Sequence, residues 1–225
     1  MPRKAWVAIG VEFVVFGALI FGGAGTLAWP QAWVMLGVFF LCSGTITATI
    51  ARTDPALLEE RMKPPLQKGQ PIWDRVTIAF VGSAFLGWLC LMGLDAKRFG
   101  WSEMPLWLNF AGAAGILLAY GLIYSVFREN TYLAPVVRFQ AERGHRVVSS
   151  GPYAYVRHPM YAGAVGLIFS MALLLGSWAG VAGALVLAAG FALRGVLEER
   201  MLMRALDGYS DYAARVRYRL IPGIW

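Results

Sequence analysis

Two cysteines and two histidines are all that 225 residues supply of the side chains best suited to holding metals or running nucleophilic chemistry. Cys42 and Cys90 lie far apart inside apolar runs, at no metal or redox spacing, and read as packing residues. Two histidines without neighbouring cysteines are too few for a closed zinc site, so no metal is expected. The sequence also lacks a phosphate-binding glycine loop, a His-Glu-x-x-His helix and a Gly-x-Ser-x-Gly elbow. Nothing in it alternates strand with helix, which excludes a Rossmann-type site. Charge is scarce as well: 15% of residues are charged, against about 25% in soluble domains. With 58% hydrophobic residues and a mean hydropathy of +0.58, an ordinary soluble domain is excluded.

What is present is length in apolar runs. Segments 6–28, 31–51, 76–94 and 105–127 each carry few or no charges and can cross a hydrocarbon core of about 30 Å. A further run, 160–196, is broken at Gly176-Ser177-Trp178 and reads as a hairpin of two helices. The expected fold is all-α: a polytopic membrane bundle of about six transmembrane helices. Lys97 and Arg98 sit between the third and fourth helices, and the other 18 of the 20 Lys and Arg fall in four regions on the opposite side. The positive-inside rule makes that side cytoplasmic, with both termini inside. Anionic lipid and topology then account for the net charge of +7, and no nucleic-acid partner is expected. Met1-Pro2-Arg3-Lys4 precedes a run of full spanning length, so the first segment reads as a retained helix rather than a cleaved signal.

Local signals add detail. Glu12 is a lone intramembrane acid, either an interfacial carboxylate or a functional group. Trp29, Trp33, Trp73, Trp101, Trp107 and Trp225 are placed as interfacial anchors. Asp54 is suited to cap a short helix opened by Pro55 and closed by Pro64-Pro65, with Leu57, Leu58 and Arg61 forming an edge against the membrane surface. Gly112, Ala113, Ala114 and Gly115 permit close helix approach in the fourth span. Gly176, Gly180, Ala184, Ala188 and Ala192 form a small-residue stripe that would let the two hairpin helices pack tightly. Arg194 and Glu198, one turn apart, reach the level at which residues 145–161 re-enter the membrane. From Leu206 to Leu220, the period of Leu206, Tyr209, Ala213, Val216 and Leu220 predicts an amphipathic interfacial C-terminal helix.

Both histidines fall within residues 145–161, together with two arginines, three tyrosines and two prolines. A cationic, aromatic loop beside a helix-borne Arg and Glu suits a ligand with a positive head, a stackable base, a ribose and a carboxylate. S-adenosylmethionine has these parts, although spacing alone does not single it out. The alternative is a non-enzymatic transporter or lipid-binding protein, which predicts charges along a pore or an inverted repeat; neither is visible.

Several separated motifs carry a resemblance: Gly151-Pro152-Tyr153, Val156-Arg157-His158-Pro159-Met160-Tyr161-Ala162-Gly163, Glu198-Glu199, and Tyr209-x-x-Tyr212 with Arg219 and Pro222. In this order they resemble the isoprenylcysteine carboxyl methyltransferase family and its phospholipid methyltransferase relatives, over about residues 130–225. The resemblance implies an integral membrane, S-adenosylmethionine-dependent methyltransferase acting on a lipophilic acceptor. It implies a cofactor cradle of Gln140, His145, Arg146, Val147, Val148, Tyr153, His158, Pro159, Met160 and Tyr161, closed by Glu198. Arg194 corresponds to the arginine the family uses near its substrate. Residues 1–127 would be a four-helix scaffold and 128–225 the cofactor-binding and catalytic region of a single integrated domain. A carboxylate or thiolate acceptor needs no strong base, whereas an amine needs one, for which His158 and Glu199 are the candidates. An isoprenylcysteine-type carboxylate or related lipid, a phospholipid amine and a small thiol all remain open as acceptors. The compact length suggests a prokaryotic cytoplasmic membrane.

Overall fold

The computed structural model describes residues 3–225; Met1 and Pro2, the first half of the Met1–Lys4 stretch ahead of the expected first span, lie outside the described residues. Eight α-helices follow in order: α1 Arg3–Ala24, α2 Pro30–Thr53, α3 Pro55–Arg61, α4 Ile72–Gly93, α5 Leu106–Glu129, α6 Pro159–Leu175, α7 Trp178–Ala205 and α8 Tyr209–Arg215. A π-helical turn, Leu94–Arg98, prolongs α4. There is no strand among the described residues. Five helices are long and apolar enough to cross a membrane, namely α1, α2, α4 with its π turn, α5 and α7. The sixth expected span, α6, has 17 residues and reaches only about 25 Å at 1.5 Å per residue.

Local chemistry sets several boundaries. Pro30, Pro55 and Pro159 open their helices at positions where a missing N–H costs nothing. The Asp54 carboxylate accepts from the Leu57 amide at 3.0 Å and caps α3. Gly176, at φ 73°, ends α6, and the Ser177 hydroxyl accepts from Gly180 N at 2.8 Å to start α7.

Contact between helices depends on glycine. A Cβ on Gly93 would lie 2.3 Å from the Ile20 carbonyl oxygen, and one on Gly112 would lie 2.4 Å from the Leu174 amide nitrogen. Backbones therefore approach directly between α1 and α4 and between α5 and α6. The glycines of α7 also receive a second helix, α4. Gly180 meets the Met92 side chain and Gly183 the Trp88 ring, and the Trp88 indole donates to the Gly180 carbonyl at 2.7 Å. Gly180 of the stripe and Gly183 beside it thus seat α4, while α6 and α7 pack against each other as the expected hairpin.

Three other expectations change. Trp29 is 1% exposed and belongs to the core, whereas Trp33, Trp101 and Trp107 are exposed as belt residues should be. Leu57 and Leu58 of α3 are buried in the core rather than laid on the membrane surface. The C-terminal amphipathic helix is only Tyr209–Arg215, with Leu206, Tyr209 and Tyr212 buried against protein. Val216 and Leu220 fall in an irregular tail, which pairs with the α6 entry through Arg157 N to Tyr218 O and His158 N to Arg219 O, both 2.9 Å.

Candidate active site

The irregular segments gather at the end of the bundle where α5 and α7 finish and α6 begins. They enclose a cavity of about 290 Å³. Its walls are the 130–148 segment, the start of α6, α7 from Phe191 onward, and Leu206, Tyr209 and Tyr212. Gln140, His145, Arg146, Val147, Val148, Tyr153, His158, Met160, Tyr161, Arg194 and Glu198 all line it. Pro159 and Glu199 do not: Pro159 is the buried first residue of α6, and Glu199 points behind the wall.

The 130–148 segment is folded on itself by side chains. Asn130 Oδ1 accepts from Tyr132 N at 2.9 Å, and Asn130 Nδ2 donates to the Tyr153 hydroxyl at 2.8 Å. Gln140 donates to the Tyr132 carbonyl at 2.6 Å and accepts from Arg143 at 2.7 Å. Both ends of this buried amide are thus engaged inside the loop, so Gln140 shapes the cavity wall. His145 stacks on Tyr132, with centroids 4.6 Å apart, and faces Phe139 on its other side at 5.7 Å. Burial pushes the His145 imidazole below its ordinary value, and Arg143 and Arg138 add to that against the opposing pull of Glu198 and Glu142. After it, Arg146, Val147 and Val148 make no backbone–backbone hydrogen bond among the described residues, which leaves peptide groups free at the cavity edge.

The segment is tied to the first half of the chain by two buried carboxylates that sequence reasoning did not single out. Asp74, 0% exposed in α4, accepts from Gln70 Nε2 at 2.8 Å, Val137 N at 2.9 Å and Arg194 Nε at 2.9 Å. Arg194 also donates to the Pro135 carbonyl at 2.8 Å. Glu60 of α3 accepts from Arg138 at 2.7 and 3.1 Å and pairs with Lys63. Burial alone would raise the Glu60 carboxyl, but the bonds from Lys63 and Arg138 hold it below the ordinary range. Arg61, next in α3, reaches the cavity with its guanidinium 4.7 Å from the Phe127 ring centroid.

On the far wall the predicted convergence is present. The Tyr161 hydroxyl donates to Glu198 Oε2 at 2.6 Å, and His158 Nδ1 lies 3.9 Å from the same oxygen. The His158 and Tyr161 rings stack 5.4 Å apart, and the Arg194 guanidinium lies 5.7 Å from the Tyr161 centroid. Gly195 lies against this stack, where a Cβ would sit in ordinary van der Waals contact, 3.5 Å from His158 Cδ2.

Glu199 has a different job from the one expected of it. At 2% exposed, it accepts from Arg157 Nε at 2.6 Å, Arg157 Nη2 at 3.3 Å, His158 Nε2 at 3.1 Å and Arg219 Nε at 2.9 Å. A carboxylate with four donors on it and no face in the cavity is not placed to take a proton from a ligand. Arg157 also donates to the Val216 and Arg217 carbonyls at 2.7 and 2.9 Å, so Arg157 and Glu199 fasten the tail beneath the cavity. Because His158 gives its Nε2 hydrogen to Glu199, the neutral ring keeps its lone pair on Nδ1, the nitrogen nearer Glu198.

The cavity thus offers unpaired backbone groups, a carboxylate and a guanidinium within an aromatic wall, which suit a ligand that carries both positive and negative charge. Residues 107–207 match the model of the phospholipid methyltransferase family, a stretch that runs from α5 to the turn after α7 and supplies most of these walls. No curated protein matches the chain.

Proposed function

We propose, for a chain whose residues 107–207 form a domain of the phospholipid methyltransferase family, that the cavity binds S-adenosylmethionine and that the protein methylates a lipophilic acceptor. The family points to a membrane methyltransferase; the donor and the acceptor are our reading. The observation that carries it is the pairing of Glu198 and Arg194 on one face of α7, with the Tyr161 ring between them and both side chains in the cavity.

Bound there, S-adenosylmethionine would supply an electrophilic sulfonium methyl group. Glu198 and Tyr161 favour a cationic ligand, and Arg146–Val148 offer peptide groups. Arg194 would orient an anionic acceptor: Asp74 and Pro135 hold two of its nitrogens, and no hydrogen bond engages Nη1 among the described residues. An isoprenylcysteine-type carboxylate fits this charge, and its transfer needs alignment and exclusion of water rather than a base. Such an acceptor would enter from the bilayer past Ala164 and Phe191. A phospholipid amine is the second reading, favoured by the free Nδ1 of His158, which is placed to accept a proton. With 18 of the 20 basic residues toward the cavity end, that end would face the cytoplasm.

The test is calorimetric binding of S-adenosylhomocysteine to the purified protein, followed by transfer of labelled methyl to a prenylcysteine, phosphatidylethanolamine and a small thiol. Expected results are micromolar binding that Glu198→Ala and His158→Ala abolish, and methylation of the prenylcysteine. Unchanged binding in both variants would remove the site assignment. Labelling of phosphatidylethanolamine alone would replace the carboxylate with the amine.

A further inference from the structure

Tyr153, Tyr209 and Tyr212 are buried around the cavity and Tyr161 is half-buried beside them, and three of these four hydroxyls are accounted for. Tyr153 accepts from Asn130, Tyr161 donates to Glu198, and Tyr212 donates to the Tyr153 carbonyl at 2.8 Å. The fourth, Tyr209, is 4% exposed, lines the cavity, and has a buried hydroxyl with no hydrogen-bond partner. A buried polar atom without a partner is uncommon and costly in a folded protein, so it calls for a cause.

The ring is not there by loose packing. Gly208, at φ 77°, turns the chain back after α7, and this left-handed position aims Tyr209 at the cavity rather than at lipid. The ring then meets Tyr212 edge-on, with centroids 5.7 Å apart, within a cluster that includes Val126, Tyr153 and Leu206. Arg157 grips the chain just beyond α8 through the Val216 and Arg217 carbonyls. An element fastened this firmly holds the hydroxyl in place without giving it a partner.

We infer that the Tyr209 hydroxyl is a ligand-binding group, which hydrogen-bonds a polar atom of the adenosyl ligand in this cavity. The inference rests on the proposed function for the class of ligand and adds a residue from beyond the matched 107–207 stretch. It has a signature that a structural tyrosine lacks. In Tyr209→Phe the unliganded protein loses no hydrogen bond, so its melting temperature stays level or rises, while affinity for S-adenosylhomocysteine falls roughly 5- to 20-fold. Tyr212→Phe loses an internal bond and melts lower.

The experiment measures the melting temperature without ligand and the calorimetric affinity for S-adenosylhomocysteine in wild type, Tyr209→Phe and Tyr212→Phe. Weaker binding by Tyr209→Phe with undiminished unliganded stability supports the inference. Wild-type binding that Tyr209→Phe leaves unchanged overturns it and leaves the proposed function standing. A lowered melting temperature with unchanged affinity overturns it in favour of a structural hydroxyl. If wild type fails to bind S-adenosylhomocysteine at all, the inference and the proposed function fall together.

Discussion

Asp74→Asn is the change with the most to reveal, because it alters one atom of a residue in α4, outside the 107–207 stretch. Gln70 Nε2 and Val137 N both donate to Oδ2, and Arg194 Nε donates to Oδ1. An asparagine has a single acceptor oxygen. Turned toward Gln70 and Val137, it presents an NH2 to the Arg194 guanidinium, donor against donor. Turned toward Arg194, it leaves two buried donors without an acceptor. In both orientations Arg194, whose side chain is 13% exposed, loses its counter-charge. Breaking a buried ion pair from one side costs about 3–5 kcal/mol. At about 2–4 °C per kcal/mol for chains of this size, the melting temperature should fall by about 6–20 °C. Tryptophan fluorescence during heating in detergent, on nine tryptophans, reads this directly. Arg194→Gln and the double variant complete a cycle in which the double recovers part of the loss. A melting temperature within about 2 °C of wild type, or single penalties that add to within about 0.5 kcal/mol, would refute the assignment of Asp74 as the partner that positions Arg194.

Three further outcomes follow from the same geometry. His145 is held neutral by burial, so the unfolded chain binds its proton more readily; stability should therefore be full above about pH 6.5 and decline as pH falls below that value, toward the lowered folded pKa. His145→Phe should flatten that limb of a melting-temperature profile, and an unchanged limb would assign it to other groups. Glu199→Gln should release the tail and make residues 206–220 sensitive to protease; full protection would mean that Arg157 holds the tail by its carbonyl bonds alone. Gly112→Ala should destabilise by about 1–3 kcal/mol, because its Cβ would strike backbone atoms of α6. Gly10→Ala, with open space around it, should be neutral or stabilising by comparison.

The sequence by itself determined what depends on neighbours along the chain. Hydropathy over about 20 residues located the long spans, Asp54 and Pro55 marked a helix start, and Gly176 marked the break in the last hairpin. The spacing of Arg194 and Glu198 put them on one face of α7, and their nearness to His158 and Tyr161 could be inferred from the shared membrane level. What only the tertiary structure decided involves partners distant in sequence. Asp74 and Arg194, or Glu60 and Arg138, leave no periodic trace, because an ion pair across 120 or 78 positions needs only that two chain segments cross. The side a membrane helix turns to protein was equally hidden. In lipid both faces are apolar, so composition could not tell that Trp29 packs inside, that Gly180 and Gly183 of α7 seat α4, or that Tyr209 turns inward. Those outcomes were fixed by which backbones glycine allowed to touch and by where a left-handed turn at Gly208 sent the chain.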